Sequence, residues 1–313
     1  MNMAFVFPGQ GSQFVGMGVE LAKAFPVARQ TFEEVDEALR QPLSQIIFEG
    51  PIEDLTLTEN AQPALMAVSI AVMRVLEKEG GVEIPAVAKF FAGHSLGEYS
   101  ALAAAKSFGV FEAARILKIR GAAMQEAVPV GEGGMAAILG IEMELAEKIA
   151  FEAGQGEVCS IANDNAVGQI VFSGNILAIN RAIEIASKKG AKRSILLPVS
   201  APFHCSMMAS AADIMSTELA TLVIDQPIVP VVSNVIAKGE ISPIEIRKLL
   251  IEQVTSRVRW RESVLFMKKN GVDTLIEVGA GKVLSGLTRR IDRDLKSVSI
   301  QQPDEIDSFL GSL

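Results

Sequence analysis

Val87-Ala88-Lys89-Phe90-Phe91-Ala92 runs straight into Gly93-His94-Ser95-Leu96-Gly97, and a helix-like stretch from Glu98 to Lys106 follows. An apolar strand, a G-x-S-x-G pentapeptide and a helix in that order predict a nucleophile elbow. The small flanking glycines permit a sharp, strained turn that lifts a serine hydroxyl clear of a sheet. In a glycine-rich chain the pentapeptide alone is often just a turn. The strand before it and the helix after it favour Ser95 as a nucleophile.

A serine nucleophile needs a base, and the chain holds only two histidines, His94 and His204. Neighbouring residues on a tight turn point in different directions, so His94 is expected to pack or hydrogen-bond beneath Ser95. His204 lies in Val199-Ser200-Ala201-Pro202-Phe203-His204-Cys205, after a strand-like run. Pro198 and Pro202 keep regular helix out of that stretch. His204 therefore belongs to a loop or a helix start, where a rigid scaffold tends to present catalytic groups. A solitary histidine is more often structural; here elimination leaves His204 as the base.

Outward from the elbow, strands and helices alternate. Met3–Phe7, Val87–Ala92 and Thr274–Val278 read as strands. Gly16–Ala24, Val27–Leu39, Pro63–Glu79, Phe111–Ala127 and Lys282–Ile291 read as helices. That alternation predicts an α/β fold with a mainly parallel sheet, of the α/β-hydrolase-like kind. The middle has another rhythm: strand Gly134–Leu139, helix Met143–Ala153, strands Val158–Ala162 and Gln169–Ser173 joined through Asn163-Asp164-Asn165, helix Asn175–Lys188, strand Lys192–Leu197. The order β-α-β-β-α-β is the ferredoxin-like arrangement. The expected organisation is thus a discontinuous large domain, 1–129 and 199–313, with a ferredoxin-like small domain inserted at 130–198. A ligand is expected in the cleft between them.

Composition narrows the class. The chain has 313 residues, 49% hydrophobic and 21% charged, which is a globular composition with ample material for a core. Mean hydropathy is high at +0.33, yet no apolar run approaches the roughly 18 residues of a membrane span. Met3–Phe7 followed by Pro8-Gly9 reads as a first strand rather than a signal peptide. The two cysteines, Cys159 and Cys205, fit a reducing, cytoplasmic setting and stand in no metal-ligand spacing. A formal net charge of −8 argues against general nucleic-acid binding.

Two glycine-rich stretches fail as nucleotide motifs. Gly279-Ala280-Gly281-Lys282 would need glycine at 276, where Ile276 stands, and Gly9-Gln10-Gly11 lacks a third glycine, since Phe14 occupies its place. The second stretch suits close approach of backbone to a ligand. An N–H near Gln10 could form half of an oxyanion hole, with the N–H of Leu96, just after the nucleophile, as the other half.

Several separated motifs agree on one family. Pro8-Gly9-Gln10-Gly11-Ser12-Gln13, Gly93-His94-Ser95-Leu96-Gly97-Glu98, Arg120 in Ile119-Arg120-Gly121 followed by Met124-Gln125-Glu126, Pro202-Phe203-His204 and Glu277-Val278-Gly279 occur in order along the chain. The sequence resembles the malonyl-CoA:acyl-carrier-protein transacylases of bacterial fatty-acid synthesis, and is similar also to the acyltransferase domains of polyketide synthases. Ala280, where many relatives carry proline, is a small departure confined to a loop.

The resemblance implies roles residue by residue. Ser95 is the nucleophile, His204 its base, and Gln10 and Leu96 supply the oxyanion N–H groups. Arg120 holds the malonyl carboxylate, for which a planar guanidinium fork is suited as lysine is not. Without the motif, Arg120 would read as a solvated helix residue or a structural ion pair. Gln253 offers a backbone carbonyl that orients the histidine, Asn163 and Asn165 line the cleft, and Phe203 crowds the acyl pocket. In polyketide relatives a Phe-His pair goes with malonyl and a Ser-His pair with methylmalonyl. The implied partners are malonyl-CoA and acyl carrier protein, with no cofactor and no metal. Lys188, Lys189, Lys192 and Arg193, or Arg289, Arg290 and Arg293, are candidate contacts for an acidic carrier, although each cluster alone reads as a solvated face. Two rival classes stand beside this one. A serine hydrolase would not need the acceptor, but it usually carries an acid and a late histidine, and no histidine follows His204. A non-catalytic carrier-binding module would form no acyl-serine.

Overall fold

Strand β1 (Met3–Phe7) is buried at every residue, the mark of a strand covered on both faces. The computed structural model describes residues 2–199 and 201–313; Met1, and Ser200 of the stretch before His204, lie outside them. After β1 come helices α1 (Val19–Ala24), α2 (Pro26–Leu39), α3 (Leu43–Glu49), α4 (Ile52–Thr56), α5 (Thr58–Lys78) and α6 (Ile84–Val87). Strand β2 (Ala88–Gly93), α7 (Gly97–Ala104) and α8 (Val110–Glu126) complete the first stretch. The chain then builds β3 (Gly133–Leu139), α9 (Met143–Gly154), β4 (Cys159–Ala166), β5 (Gln169–Asn175), α10 (Ile176–Lys188) and β6 (Arg193–Leu196). It returns through α11 (Ala209–Thr221), β7 (Val231–Val232), β8 (Gly239–Glu240), α12 (Pro243–Gln253) and α13 (Trp260–Lys269). It ends with β9 (Thr274–Val278), α14 (Val283–Ile291), β10 (Lys296–Ile300) and α15 (Pro303–Leu310).

The larger sheet has the order β10-β9-β1-β2-β7-β8 and is parallel except for the β7–β8 pair, as the alternation of strands and helices predicts. Helix α5 is buried almost all round and starts at Thr58, five residues earlier than the sequence suggests. Pro63 therefore lies inside it rather than at its start. Gly121 of α8 lets the two helices meet there: a Cβ at 121 would lie 2.5 Å from Glu59 Cα and 2.6 Å from the Thr58 carbonyl oxygen. No helix among the described residues is long and apolar enough to cross a membrane.

The second sheet, β4-β5-β3-β6, is antiparallel and follows the expected β-α-β-β-α-β order. Alternation along its strands splits its faces. Ala136, Ile138, Ile170 and Phe172 pack with Ile149, Ile179 and Ala182 of α9 and α10, while Met135 and Val171 line a cavity that Ser95 also lines. One detail departs from the sequence reading. Asn163-Asp164-Asn165 lies within β4 rather than between strands, and the turn falls at residues 167–168. Polar side chains suggest a turn, but here tertiary partners satisfy the backbone on both edges. β5 pairs on one side, with irregular register around these residues. On the other side, Asp164 N–H donates to the Val258 carbonyl at 3.0 Å and Val258 N–H to that of Ala162 at 2.8 Å. Arg261 clamps the Asp164 carboxylate through Nε at 3.0 and 2.9 Å, tying β4 to α13.

Candidate active site

The turn between β2 and α7 is built by close approach. A Cβ on Gly93 would sit 1.8 Å from the Gly97 carbonyl, and one on Gly97 would sit 2.3 Å from the Phe7 carbonyl oxygen, so neither position has room for a side chain. The strain itself falls on Ser95, whose φ of 54° is left-handed, a conformation costing a non-glycine residue about 1–3 kcal/mol. Two side-chain amides hold it there. Asn234 Oδ1 accepts the Ser95 N–H at 2.7 Å, and Gln253 Nε2 donates to the Ser95 carbonyl at 3.1 Å.

His204 meets Ser95 as expected. It occupies the turn before a short 3-10 helix, Ser206–Met208, and its φ of 60° is also left-handed. Ser95 Oγ lies 2.8 Å from His204 Nε2, and His204 Nδ1 lies 3.0 Å from the Gln253 carbonyl oxygen. A carbonyl can only accept, so Nδ1 carries the proton and the Nε2 lone pair faces the serine hydroxyl. Burial, then the Arg120 charge, pushes His204 down to about 3, so its imidazole is neutral near pH 7. His94 has the place expected of it: it packs against Trp260 at 5.7 Å between ring centroids and reaches Asn165 Oδ1 at 2.8 Å through Nε2.

Arg120 is 1% exposed and lies beside the serine. Its Nη1 donates to Gln62 Oε1 at 2.7 Å, and its Nη2 donates to Gln253 Oε1 at 2.9 Å and to Ser95 Oγ at 3.2 Å. The guanidinium also stands over the Tyr99 ring, 5.4 Å from its centroid. Beneath the elbow Glu98 is buried, and desolvation pushes its carboxyl up to about 7 against the opposing pull of Asn234, Gln253 and Arg120.

A cavity of about 650 Å³ opens over these groups. Gln10, Ser95, Leu96, Arg120, Asn163, Asn165, Phe203 and His204 all line it, together with Met124, Met135, Val171, Leu197 and Val199. The backbone N–H groups of Gln10 and Leu96 donate to no other described residue, as an oxyanion hole requires. Gln253 is fully buried and acts from behind the histidine rather than lining the cavity.

A strained serine, a carbonyl-oriented histidine and a buried arginine converge here. The family model of the acyl transferase domain matches residues 4–304. The chain belongs to the acyl transferase family. Among its relatives, the malonyl CoA-acyl carrier protein transacylase of Bacillus subtilis (strain 168) is 46% identical over 313 residues, covering 100% of this chain and 97% of that protein. The solved acyl-carrier-protein S-malonyltransferase of Bartonella henselae superposes with a TM-score of 0.98 at 54% identity, over 100% of this acyl transferase and 99% of that chain. A malonyl-transacylase solved in complex with a type II polyketide-synthase acyl-carrier protein superposes with a TM-score of 0.96 at 41% identity, over 99% of both chains.

Sequence reasoning about this acyl transferase missed Gln62, Tyr99 and Asn234, and quoted Glu98 without a role. Gln62 stands beside Pro63, where the sequence reading began the helix one residue too late to include it. Asn234 follows a two-residue strand and carries no pattern at all. The Glu277-Val278-Gly279 motif proves structural: the Glu277 carboxylate accepts from the N–H groups of Leu284 at 2.9 Å and Ser285 at 2.7 Å and caps α14. Of the candidate basic residues, Lys189 pairs with Glu152 at 2.6 Å and Arg290 donates to Gln169 at 2.7 Å.

Proposed function

We infer that this acyl transferase moves a malonyl group from malonyl-CoA to the phosphopantetheine thiol of acyl carrier protein, supplying fatty-acid synthesis. The observation that carries the reading is the buried Arg120 guanidinium within hydrogen-bond distance of the Ser95 hydroxyl. Malonyl places its carboxylate one methylene beyond the reacting carbonyl. A thioester at Ser95 therefore brings a carboxylate to Arg120, where a planar fork and low local dielectric reward the pairing.

In the proposed cycle Ser95 Oγ attacks the thioester carbon while its proton passes to His204 Nε2. The N–H groups of Gln10 and Leu96 receive the developing oxyanion. The C–S bond breaks, and His204 returns the proton to the CoA sulfur. The carrier thiol then gives its proton to His204 and attacks the malonyl-serine, the C–O bond breaks, and Ser95 recovers its proton. Only the chain's own groups act in this scheme, so it calls for no cofactor or metal. Residues 130–198 serve in it as an inserted domain whose Asn163 and Asn165 wall the cleft, and the cytoplasm is the proposed setting.

Hydrolysis is the second reading, and the base argues against it. His204 is oriented by a neutral carbonyl, which stabilises the imidazolium less than a carboxylate partner would. A thiol, with a pKa near 8.5, needs far less help than water. Intact-mass measurement after mixing with malonyl-CoA, with Ser95→Ala as control, tests the acyl-serine step. Release of free malonate at the same rate with and without carrier protein would make the chain a hydrolase. No adduct in the wild type would leave only a binding module.

A further inference from the structure

One buried carboxyl group supports the site without a hydrogen bond to the Ser95 hydroxyl or to His204. Glu98 is 3% exposed, and its Oε2 accepts from the Asn234 N–H at 3.0 Å and from Gln253 Nε2 at 2.7 Å. Each of those partners holds one end of the strained Ser95 residue. Asn234 Oδ1 takes the Ser95 N–H, and the second hydrogen of Gln253 Nε2 goes to the Ser95 carbonyl.

The Gln253 amide has two faces that look alike sterically and differ only in hydrogen bonding. Its Nε2 is committed to two oxygens, Glu98 Oε2 and the Ser95 carbonyl. Its Oε1 must then point to Arg120 Nη2, which it meets at 2.9 Å. A flipped amide would set NH2 against the guanidinium and take its donors away from Glu98 Oε2 and the Ser95 carbonyl, leaving buried polar groups unpaired. The backbone carbonyl of the same residue orients His204. Through one side chain, Glu98 thus reaches the nucleophile, the base and the arginine.

Building on the malonyl-transfer reading, we propose that Glu98 is a positioning residue: by fixing the Gln253 amide it aims Arg120 at the acyl carboxylate and holds Ser95 in its strained conformation. This is a specificity role as well as a supporting one, because the orientation of Arg120 depends on it.

The test is steady-state transfer from malonyl-CoA and acetyl-CoA to carrier protein, in wild type, Glu98→Met, Glu98→Gln, Gln253→Met and Glu98→Met/Gln253→Met. Glu98→Met removes the acceptor: kcat falls for both acyl groups, KM for malonyl-CoA rises, and the malonyl-to-acetyl ratio of kcat/KM drops about tenfold or more. Glu98→Gln keeps an acceptor oxygen at the same place and restores most of that ratio. Gln253→Met keeps the backbone carbonyl but loses the amide, so it lowers the ratio by itself. Adding Glu98→Met to it lowers the ratio little further, since the two act in series. A purely structural Glu98 would lower the melting temperature and active fraction while leaving KM and the ratio unchanged, and that result overturns the proposal. So does a Gln253→Met variant with the wild-type ratio, which decides the matter even if Glu98→Met does not fold. Wild type that transfers no malonyl overturns the functional reading and this inference together. Wild type that transfers malonyl beside variants with an unmoved ratio overturns the inference alone.

Discussion

Arg120 donates to the Ser95 hydroxyl across 3.2 Å from a position that is 1% exposed. The Ser95 hydroxyl and the candidate carboxylate receptor are therefore neighbours, and in the proposed reaction substrate choice and chemistry occupy the same few ångströms.

Arginine truncation follows directly. In Arg120→Ala the acyl carboxylate is buried without a partner, a loss of about 2–5 kcal/mol in malonyl transfer. Acetyl transfer, which brings no carboxylate, falls far less. Arg120→Lys is also impaired, because an ammonium cannot reproduce the fork. Measuring kcat/KM for malonyl-CoA and acetyl-CoA in all three proteins checks this. If the ratio barely moves, Arg120 is structural.

Phe203 lines the cavity beside His204 and is 8% exposed, so its ring has little space to yield to a substituent on the acyl group. Methylmalonyl-CoA is expected to lose to malonyl-CoA by about 1–3 kcal/mol, the worth of one methyl group in a pocket. Phe203→Ser narrows that gap. Direct competition between the two thioesters gives the ratio, and equal kcat/KM values in the wild type refute the assignment.

The pH profile has a definite sign. His204 is pushed from the ordinary 6.5 down to about 3 by burial first and the Arg120 charge second, so its base form persists well below neutrality. The acidic limb of kcat/KM for Ser95 acylation accordingly lies far below 6.5. A malonyl carboxylate on Arg120 offsets the charge that depresses His204, so the limb in kcat for malonyl-CoA lies higher than the one in kcat/KM. Acetyl-CoA produces no such shift. Stopped-flow acylation across pH reads both limbs, and a shared limb near 6.5 contradicts the account. Stability follows the same linkage: between 6.5 and about 3 the unfolded chain binds a proton on this histidine and the folded chain does not, so its contribution falls as pH falls.

Gly121 connects packing to the site. A methyl group there meets Glu59 Cα at 2.5 Å, so Gly121→Ala forces α8 away from α5 beside Arg120 and Gln62. Overpacking of this kind costs about 1–3 kcal/mol, which is a melting-temperature loss of roughly 2–4 °C per kcal/mol for a domain of this order of size. KM for malonyl-CoA rises as well, because Arg120 moves with α8. Differential scanning and initial rates read the two effects. An unchanged melting temperature shows that the helices have slack at this crossing.

Much of the site was legible because its chemistry is written locally. Gly93-His94-Ser95-Leu96-Gly97 carries the turn, and two histidines leave little choice of base. The side-chain contacts of Asn234, Gln253 and Glu98 that hold the turn were not legible, although Gln253 stood out for its backbone carbonyl and Glu98 stood in the motif. Gln62 and Asn234 come from distant segments and have no spacing relation to Ser95. Asn163-Asp164-Asn165 misled for a related reason: three turn-forming side chains lie in a strand because residue 258, far along the chain, supplies backbone partners.

The sequence by itself determined the α/β alternation, the place of the elbow and the residue types that the proposed cycle uses for attack, proton transfer and carboxylate capture. Those are matters of periodicity, glycine placement and side-chain chemistry, all local to a few residues. Tertiary structure alone decided that the strain rests on Ser95 rather than on its glycines, that His204 faces it as one defined tautomer, and that Glu98 fixes the amide joining base to arginine. Each of these depends on which donors and acceptors meet in a buried space. A hydrogen bond between residues 98 and 253 leaves no periodic trace in the chain that makes it.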